Sequence, residues 1–398
     1  MSELSFMEKL LDGVEVEWIA LGGGVVEFQR GKRLVRSQLE ESGKYAVFQN
    51  SMKPLGYYHE SNVEAETAFI ICAGAAGEIG YSKDPFWAAD DVYFAVTPEL
   101  VNSKYLYHFL LTQKERIEGQ VRRASIPRLS KSAIEKLELP IPCPDMPEKS
   151  LEIQSEIVRI LDTFTELTAE LTAELSLRKK QYNHYRDQLL SFEEGEVEWK
   201  TLGWIGDVRM CKRIMKNQTS DSGDIPFFKI GTFGKEPDAY ISRDVFEEYK
   251  ERYSYPRVGE ILISASGTIG RAVIFNGEDA YFQDSNIVWL ENDESKVLNK
   301  YLFYFYQIAS WNVSDGGVIK RLYNDNIKKT LIPIPFPNDP EKSLAEQARV
   351  VEILDKFDIL TTSISEGLPR EIELRQKQYE YYRDLLLSFP KSHADEAA

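Results

Sequence analysis

One stretch of sequence decides the fold, and it occurs twice. Residues 139–150 read LPIPCPDMPEKS, and residues 332–343 read IPIPFPNDPEKS, 193 positions further on. Each copy leads into a long segment that closes on Tyr-Arg-Asp-x-Leu-Leu-Ser-Phe, starting at Tyr185 and at Tyr382. Self-similarity at a fixed distance is the signature of a repeated structural unit. The sequence therefore predicts two copies of one plan.

The segments that follow these marks have the periodicity of long helices. From Ile153 to Phe192, apolar residues recur every three or four positions, mostly in the alternation that marks a coiled-coil seam. The second copy repeats this pattern up to Phe389, with Gly367 and Pro369 expected to kink or break the helix. Long helices with an apolar seam need a partner, and the nearest is the other copy. An antiparallel pair with a pseudo-twofold relation is predicted.

The regions that precede these helices differ between the copies and look mixed. Short β-branched or aromatic runs alternate with Gly, Asn and Asp, which favours strands joined by turns, and short helices are expected near residues 104–113 and 299–308. The predicted fold class is α+β: two mixed α/β domains joined by two long helices that form an antiparallel coiled-coil spacer. The predicted boundaries are 1–143 for the first domain, 144–192 for the first helix, 193–336 for the second domain, 337–390 for the second helix and 391–398 for a tail.

Composition limits the classes of function. The chain has 398 residues, with 48 Lys and Arg against 64 Asp and Glu, and a formal net charge of −16. Taken alone, this acidity argues against a nucleic-acid partner, because such proteins usually carry a basic footprint. No apolar run approaches the length of a membrane span, and the cysteines are scattered and few, so a cytoplasmic location is predicted.

The usual motifs of catalysis are missing from the sequence. It contains no P-loop, no GxSxG nucleophile elbow and no histidine pair at metal-ligand spacing. The glycine-rich runs at residues 74–80 and 266–270 are typical of hairpin turns, because no strand-loop-helix pattern surrounds them. We therefore expect a chain that is not an enzyme and has no catalytic residue, cofactor or metal of its own.

The positive charge is clustered, although the negative charge is spread evenly. Each domain has one basic cluster after its first strand and a second before its closing helix, with polar side chains able to read base edges nearby. A single such cluster is more simply a solvated loop, but four clusters in two matching pairs favour contact with DNA. The predicted DNA-binding residues are Arg30, Lys32, Arg33, Arg36, Gln49, Asn50, Arg122, Arg123, Arg128 and Lys131 in the first domain, and Arg209, Lys212, Arg213, Lys216, Gln218, Lys320 and Arg321 in the second.

Over nearly its whole length, the chain resembles the specificity (S) subunit of Type I restriction-modification systems. The resemblance lies in the proline tripeptides followed by Pro-Glu-Lys-Ser and in Ile-Leu-Asp-x-Phe at residues 160–164 and 353–357. It also lies in the closing motifs, which begin with Lys-Gln-Tyr at residues 180–182 and 377–379. All of these marks occur twice, between regions that differ.

The resemblance implies a function and a set of partners. The mixed domains would be target recognition domains, each reading one half of a bipartite, asymmetric target in double-stranded DNA. The helices would set the spacer and dock two methyltransferase (M) subunits, which bind S-adenosylmethionine and methylate adenine. Restriction (R) subunits would join them for ATP-driven translocation and cleavage. S-adenosylmethionine and ATP with Mg²⁺ are therefore expected in the partner subunits and not in this chain.

Two further expectations concern the helices. Thr168-Ala-Glu-Leu and Thr172-Ala-Glu-Leu form a tandem repeat, and the resemblance implies that the copy number of such units sets the length of unread DNA. The closing motifs offer candidate contacts to the M subunits, with core packing as an equally good role. These candidate partner-binding residues are Tyr182, Tyr185, Arg186, Tyr379, Tyr382 and Arg383.

Two alternatives remain open at this point. The complex could methylate DNA without any R subunit, because contacts to that subunit are not legible in the sequence. In a different class, the chain could be a coiled-coil scaffold that binds two proteins and no DNA. The scaffold explains the acidity but gives no reason for the matched basic clusters.

Overall fold

The computed structural model describes residues 14–192, 197–313, 320–363 and 365–389. The predicted tail, residues 391–398, lies outside the described residues. The chain divides into two compact units: Met1–Thr172 with Glu371–Ala398, and Ala173–Arg370. Each unit therefore contains one mixed domain together with segments of both repeated helical regions.

The described part of the first unit contains three small sheets. Its described strands are β1 (Val16–Ala20), β2 (Glu27–Arg30), β3 (Tyr45–Phe48), β4 (Gly56–Tyr58), β5 (Thr67–Ile71), β6 (Ile79–Ser82), β7 (Trp87–Ala88), β8 (Val92–Val96) and β9 (Glu138–Pro142). An antiparallel sheet has the order β2-β8-β5-β6, a second sheet has the order β4-β3-β7, and β1 pairs with β9. In the second sheet, β3 runs antiparallel to β4 and parallel to β7.

The second unit has the same topology. Its described strands are β10 (Val197–Thr201), β11 (Asp207–Arg209), β12 (Ile225–Phe228), β13 (Tyr240–Ile241), β14 (Ile261–Ser264), β15 (Ala272–Ile274), β16 (Tyr281–Phe282), β17 (Ile287–Glu291) and β18 (Leu331–Pro335). The sheet orders are β11-β17-β14-β15, β13-β12-β16 and β10-β18. Strand for strand, these orders match those of the first unit. The repeat therefore includes the mixed domains, whose sequences differ, as well as the repeated sequence motifs.

The proline tripeptides that mark the repeat form the last strand of each domain. Strand β9 pairs antiparallel with β1, so that Trp18 faces Pro140, and β18 pairs with β10, so that Trp199 faces Pro333. Proline cannot donate to a ladder and is therefore confined to edge strands, and both members of a two-stranded ribbon are edges. Each domain is thus closed by pairing its end with its beginning.

The helices follow the predicted plan, with short helices in each domain and a long helical region after it. They are α1 (Ser103–Thr112), α2 (Lys114–Gly119), α3 (Lys131–Glu135), α4 (Pro147–Leu189), α5 (Leu202–Ile205), α6 (Arg243–Arg252), α7 (Asn299–Tyr306), α8 (Asn324–Lys329), α9 (Pro340–Thr362) and α10 (Leu368–Leu387). The short helices expected near residues 104–113 and 299–308 are α1 and α7. Helix α4 has 43 residues and is about 65 Å long.

The second helical region is broken where the sequence predicted. Helix α9 ends at Thr362 and α10 begins at Leu368. Gly367 has φ +83°, a left-handed conformation that favours glycine. A Cβ there would also lie 2.5 Å from the carbonyl oxygen of Ile359. Pro369 sits in the first turn of α10, where its missing N–H costs no helical hydrogen bond.

Within each unit the repeated helices pack antiparallel. In the first unit the rings of Phe164 and Tyr382 stack at 5.2 Å, and Ile157 shares a buried core with Phe389. In the second unit the rings of Tyr185 and Phe357 stack at 5.4 Å. Residues of α4 with lower numbers contact residues with higher numbers in the second helical region. This order confirms the predicted antiparallel pairing.

A buried glutamine near the start of each long helix holds the domain to it. Gln154 is fully buried, accepts a hydrogen bond from the backbone N–H of Asn102 at 2.9 Å and donates to the carbonyl oxygen of Leu100. Gln347 does the same with Leu298 and Lys296. Both side chains thus satisfy the backbone just ahead of α1 and α7, which orients each domain on its helix.

Next to this junction, the first unit contains a buried histidine that the second lacks. His108 is fully buried on α1, with Nδ1 2.8 Å from the Tyr379 hydroxyl and Nε2 3.4 Å from Asp162 Oδ1. Lys104 Nζ lies 2.6 Å from the other oxygen of Asp162. Burial lowers the pKa of His108, although the contact with Asp162 opposes this effect. The matching position in the second unit is Tyr304, whose hydroxyl donates to Asp355 at 2.6 Å.

This difference predicts that acid destabilises the first unit through His108. Below the ordinary histidine pKa of about 6.5, the unfolded chain binds a proton that the folded chain does not yet accept, so stability falls as the pH falls. Denaturant unfolding of the wild type and His108→Gln at pH 7.5 and pH 5.5 measures the effect. The wild type is expected to lose more stability than the variant over this interval. Equal losses would contradict the assignment.

Candidate nucleic-acid interface

In the first domain the two basic clusters meet at the end of β5. Arg30, at the end of β2, donates from Nε to the carbonyl oxygen of Asp90 at 2.6 Å. The backbone N–H of Cys72 donates to the neighbouring Asp91 carbonyl at 2.7 Å, and the Cys72 carbonyl accepts from Leu129. Arg128 therefore lies beside the turn that Arg30 contacts.

The pKa of the Cys72 thiol also indicates that the two basic clusters lie close together. Burial raises the pKa of the Cys72 thiol, and the guanidinium groups of Arg30 and Arg128 both act in the opposite direction. Arg30 and Lys131 likewise oppose the raised pKa of the Tyr93 hydroxyl, which is caused chiefly by burial. Residues from both clusters are thus close enough to act on one group.

The loop that carries Gln49 and Asn50 joins the same edge. The Asn50 carbonyl accepts a hydrogen bond from Ala75 at 2.9 Å, and Gly74 donates to the carbonyl of Pro127. A Cβ on Gly74 would lie 2.7 Å from the Asn50 carbonyl oxygen, so only glycine allows the two loops to approach. The structure therefore brings together the three loops of the first domain that sequence analysis selected.

In the second domain the clusters meet at the corresponding turn. Arg213 Nε lies 2.9 Å from Asp284 Oδ2, and Arg321 donates to the Ser285 carbonyl and to Asn286 Oδ1, each at 3.2 Å. Ser285 has φ +60°, which is uncommon for a residue other than glycine. Asn286 also accepts from the Ser266 hydroxyl. This turn holds one guanidinium group from each cluster.

A loop motif that sequence analysis missed supports both clusters. Residues 32–38 read KRLVRSQ and residues 212–218 read KRIMKNQ. Each run ends in a single turn of 3₁₀ helix, Arg36–Gln38 and Lys216–Gln218. The backbone N–H of Val35 donates to the Gln38 side chain at 3.2 Å, and that of Met215 donates to Gln218 at 2.9 Å. Comparing the two copies at an offset of 180 would have revealed Gln38.

These loops present their cations to solvent. Among the described residues, the side chains of Lys32, Arg33, Arg36 and Lys216 make no hydrogen bond or ion pair, and all four are exposed. Lys212 Nζ lies over the Tyr253 ring at 5.0 Å. Arg213 stays 66% exposed despite its pairing, whereas Asp284 is only 15% exposed. The backbone of these loops thus holds the cations in place, while the charged groups remain accessible to solvent.

Some of the predicted residues are placed differently. Arg209 lies 2.8 Å from Glu291 at the far end of β17, away from the Asp284 turn. Lys131 lies near Tyr93 with Arg30, but its ammonium group pairs with Glu135 on α3 at 3.0 Å. Gln218 uses its oxygen for Met215 and its nitrogen for the Tyr249 hydroxyl, so both polar groups are engaged inside the domain. Exposed positions next to the loops are held by Arg122, Arg123 and Lys320.

The closing-motif residues are largely engaged within their own units. The Tyr182 hydroxyl donates to Gln307 at 2.9 Å, and Arg186 lies over the Tyr182 ring. Tyr379 contacts His108 in the same way, with Arg383 over its ring. Tyr185 and Tyr382 stack on the facing helix but remain 42% and 38% exposed. Four of the six candidates thus make contacts inside their own unit, and their role in binding the M subunits stays a prediction.

Two kinds of feature are absent from the part of the chain that the structure describes. No group of three or more His, Cys, Asp or Glu side chains there could hold a metal ion. No helix there is long and apolar enough to cross a membrane.

Fold and site together define a class of protein: a repeated α+β chain in which two domains of one topology, each with a clustered basic edge, are attached to paired long helices. A family model described as Type I restriction modification DNA specificity domain matches residues 15–177 and 194–374. The chain belongs to this family of Type I restriction-modification specificity subunits, as the sequence motifs indicated. It is a subunit with two DNA target recognition domains.

Relatives and solved structures agree with this membership. A protein named as a type I restriction enzyme specificity subunit in Haemophilus influenzae is 49% identical over 97% of this chain and 98% of its own length. The EcoR124I/EcoR124II specificity subunit of Escherichia coli is 40% identical over 98% of both chains. The crystal structure of the S subunit from M. genitalium matches with a TM-score of 0.57 and 18% identity, covering 96% of this chain and 98% of that one. This last match shows the shared fold.

Proposed function

We propose that each recognition domain reads one half of a bipartite, asymmetric DNA target through its basic edge. The observation that carries the proposal is the convergence of two basic clusters at one turn in each of two domains that share a topology but differ in sequence. Two different readers on a repeated frame recognise two different half-sites, whereas two identical readers would recognise a palindrome.

In this proposal the loops and turns have separate tasks. Exposed Lys and Arg side chains contact phosphates and set the position of the domain, while neighbouring polar groups read base edges. Arg33 and Arg213 occupy the same place in the two loop motifs and are candidates for phosphate contacts. The acidic remainder of the surface limits nonspecific binding and leaves affinity to these edges and to partner subunits.

The helices and the remaining chemistry complete the proposal. Helix α4 and the α9–α10 region set the distance between the half-sites and dock two M subunits on faces outside the seam, where Tyr185 and Tyr382 are exposed. The chain is non-catalytic: the M subunits bind S-adenosylmethionine and methylate adenine in each half-site. R subunits, with ATP and Mg²⁺, would add translocation and cleavage. Such a complex works in the cytoplasm.

The proposal is tested by expressing the chain with its M subunit and sequencing the methylated genome. A single methylated motif with two unlike halves separated by unread bases is expected. A palindromic motif, or no methylation together with no site-specific DNA binding by the purified complex, would contradict the proposal. The second of these results is the one that a protein-binding scaffold would give.

Arg33→Ala and Arg213→Ala are each expected to weaken binding of the complex to its target. Removing one phosphate contact should lower the slope of log affinity against log salt by about 1. Salt titrations of both variants against wild type measure this slope. Slopes equal to that of wild type would show that these residues make no phosphate contact.

A further inference from the structure

The two recognition loops expose an apolar side chain at the same position. Val35 is 47% exposed and Met215 is 57% exposed. Each is flanked by cations of the KRLVRSQ or KRIMKNQ motif. Single exposed apolar residues are ordinary on protein surfaces. Here, however, two domains that differ elsewhere keep such a residue in the same place in the fold.

The backbone holds both side chains in the same way. Val35 has φ −89° and ψ 147°, and Met215 has φ −87° and ψ 153°. In each loop the glutamine three residues later accepts from the N–H of the apolar residue and donates its own backbone N–H to that residue's carbonyl oxygen at 2.9 Å. The exposed side chain is therefore presented from a closed turn.

The residue before it anchors the loop. Leu34 is 8% exposed, and Ile214 packs against a core cluster of the second domain. In each loop, an apolar residue packed against the domain is followed by an exposed apolar residue and then by a cation. A turn of this kind is well suited to the major groove, which is about 12 Å wide and about 8.5 Å deep. The flanking cations would then face the phosphates on its walls.

Only one base edge in that groove carries a methyl group, the C5-methyl of thymine, and apolar side chains contact it. We propose that Val35 and Met215 each contact a thymine methyl group in the half-site read by their own domain. This rests on the proposed function, in which an adenine is methylated in each half-site, so that each half contains at least one thymine. The exposed apolar side chain, which both domains have, would then contact a thymine methyl group, which both half-sites have.

The test uses the complex with its M subunit and the target found by methylome sequencing. Two duplexes carry deoxyuridine in place of every thymine of one half-site or of the other, which removes only the methyl groups. Wild type is expected to bind each duplex about fourfold more weakly than the target, the loss given by one buried methyl-sized group. Val35→Ala should lose affinity for the target by a similar factor and become insensitive to deoxyuridine in one half-site only. Met215→Ala should behave in the same way toward the other half-site.

Matched controls are Val96→Ala, at the far end of β8, and Val258→Ala, which is 71% exposed outside the loop. Both should bind as wild type does and keep full sensitivity to deoxyuridine. The inference is overturned if wild type does not respond to deoxyuridine, or if Val35→Ala and Met215→Ala keep its sensitivity in both halves. Site-specific binding with either result leaves the proposed function standing. Absence of site-specific binding by wild type overturns both.

Discussion

Reversing the charge at Lys32, Arg33, Lys212 and Arg213 to glutamate is expected to weaken target binding by the complex by about 1,000-fold. The four side chains lie at the exposed edge where the basic clusters of each domain meet, and the reversal places carboxylates where the proposal has phosphates. Proteins with six to ten phosphate contacts lose about 1,000-fold or more in affinity when salt screens those contacts. A loss of about 1,000-fold at physiological salt is therefore expected, measured by titration of labelled target DNA.

The matched control for the second domain is Arg243→Glu with Arg252→Glu. Both residues are exposed on α6, where Arg243 pairs with Asp279 and Arg252 pairs with Glu248. This variant has the same change in net charge as Lys212→Glu with Arg213→Glu. Affinity within about threefold of wild type is expected for the control. If both double variants lose affinity equally, net charge and not the loop is responsible.

Deleting Thr172–Leu175 is expected to shorten the unread gap of the target and to leave both half-sites unchanged. The four residues lie inside the continuous helix α4, and the Thr172 hydroxyl donates to the Thr168 carbonyl one turn earlier. Their loss shortens the helix by about 6 Å, which is less than two base-pair steps of about 3.4 Å. Methylome sequencing should find the same two halves with one or two fewer bases between them.

Replacing Thr172, Glu174 and Leu175 with alanine provides the control, since it changes the sequence of the repeat but not its length. The gap should then match that of wild type. Altered half-site bases with an unchanged gap in the deletion variant would contradict the ruler role of the helix. A changed gap in the length-preserving variant would mean that side chains, and not helix length, set the spacing.

Features with strong periodicity could be predicted from sequence. The repeat, the span of α4, the antiparallel pairing and the break at Gly367 all follow from apolar spacing or from glycine and proline chemistry. Strands β8 and β17 lie on short β-branched or aromatic runs of the kind that the sequence analysis took as strands. The helix span and the break are signalled within one segment of chain, and the repeat and the pairing follow from comparing two such segments.

The meeting of the basic clusters could not be derived from sequence, although the clusters could. Arg213 and Arg321 approach each other because both contact the turn at Asp284 and Asn286, which follows from sheet topology. The same cause separates Arg209 from them, because its strand directs it to Glu291. Gln38 was missed because its role is to close a turn, a contact that residue type alone does not indicate.

The net charge of −16 is less informative about DNA binding than the distribution of the charges over the surface. Summed over the chain it argued against DNA, yet each recognition edge presents a cluster of exposed cations, among them Arg33 and Arg213. An acidic frame with small basic edges is suited to a subunit that binds DNA specifically as part of a complex.

The account is tested most directly by exchanging one recognition domain. In a chimera, residues 197–335 are replaced with the corresponding segment of the Escherichia coli relative, and the methylomes of both parents and the chimera are sequenced. One half of the chimera's target should be that of this chain and the other half should be that of the relative, at the spacing set by the helices. A chimera whose target changes in both halves, or in neither half when the parents differ, would contradict the claim that each domain reads one half-site.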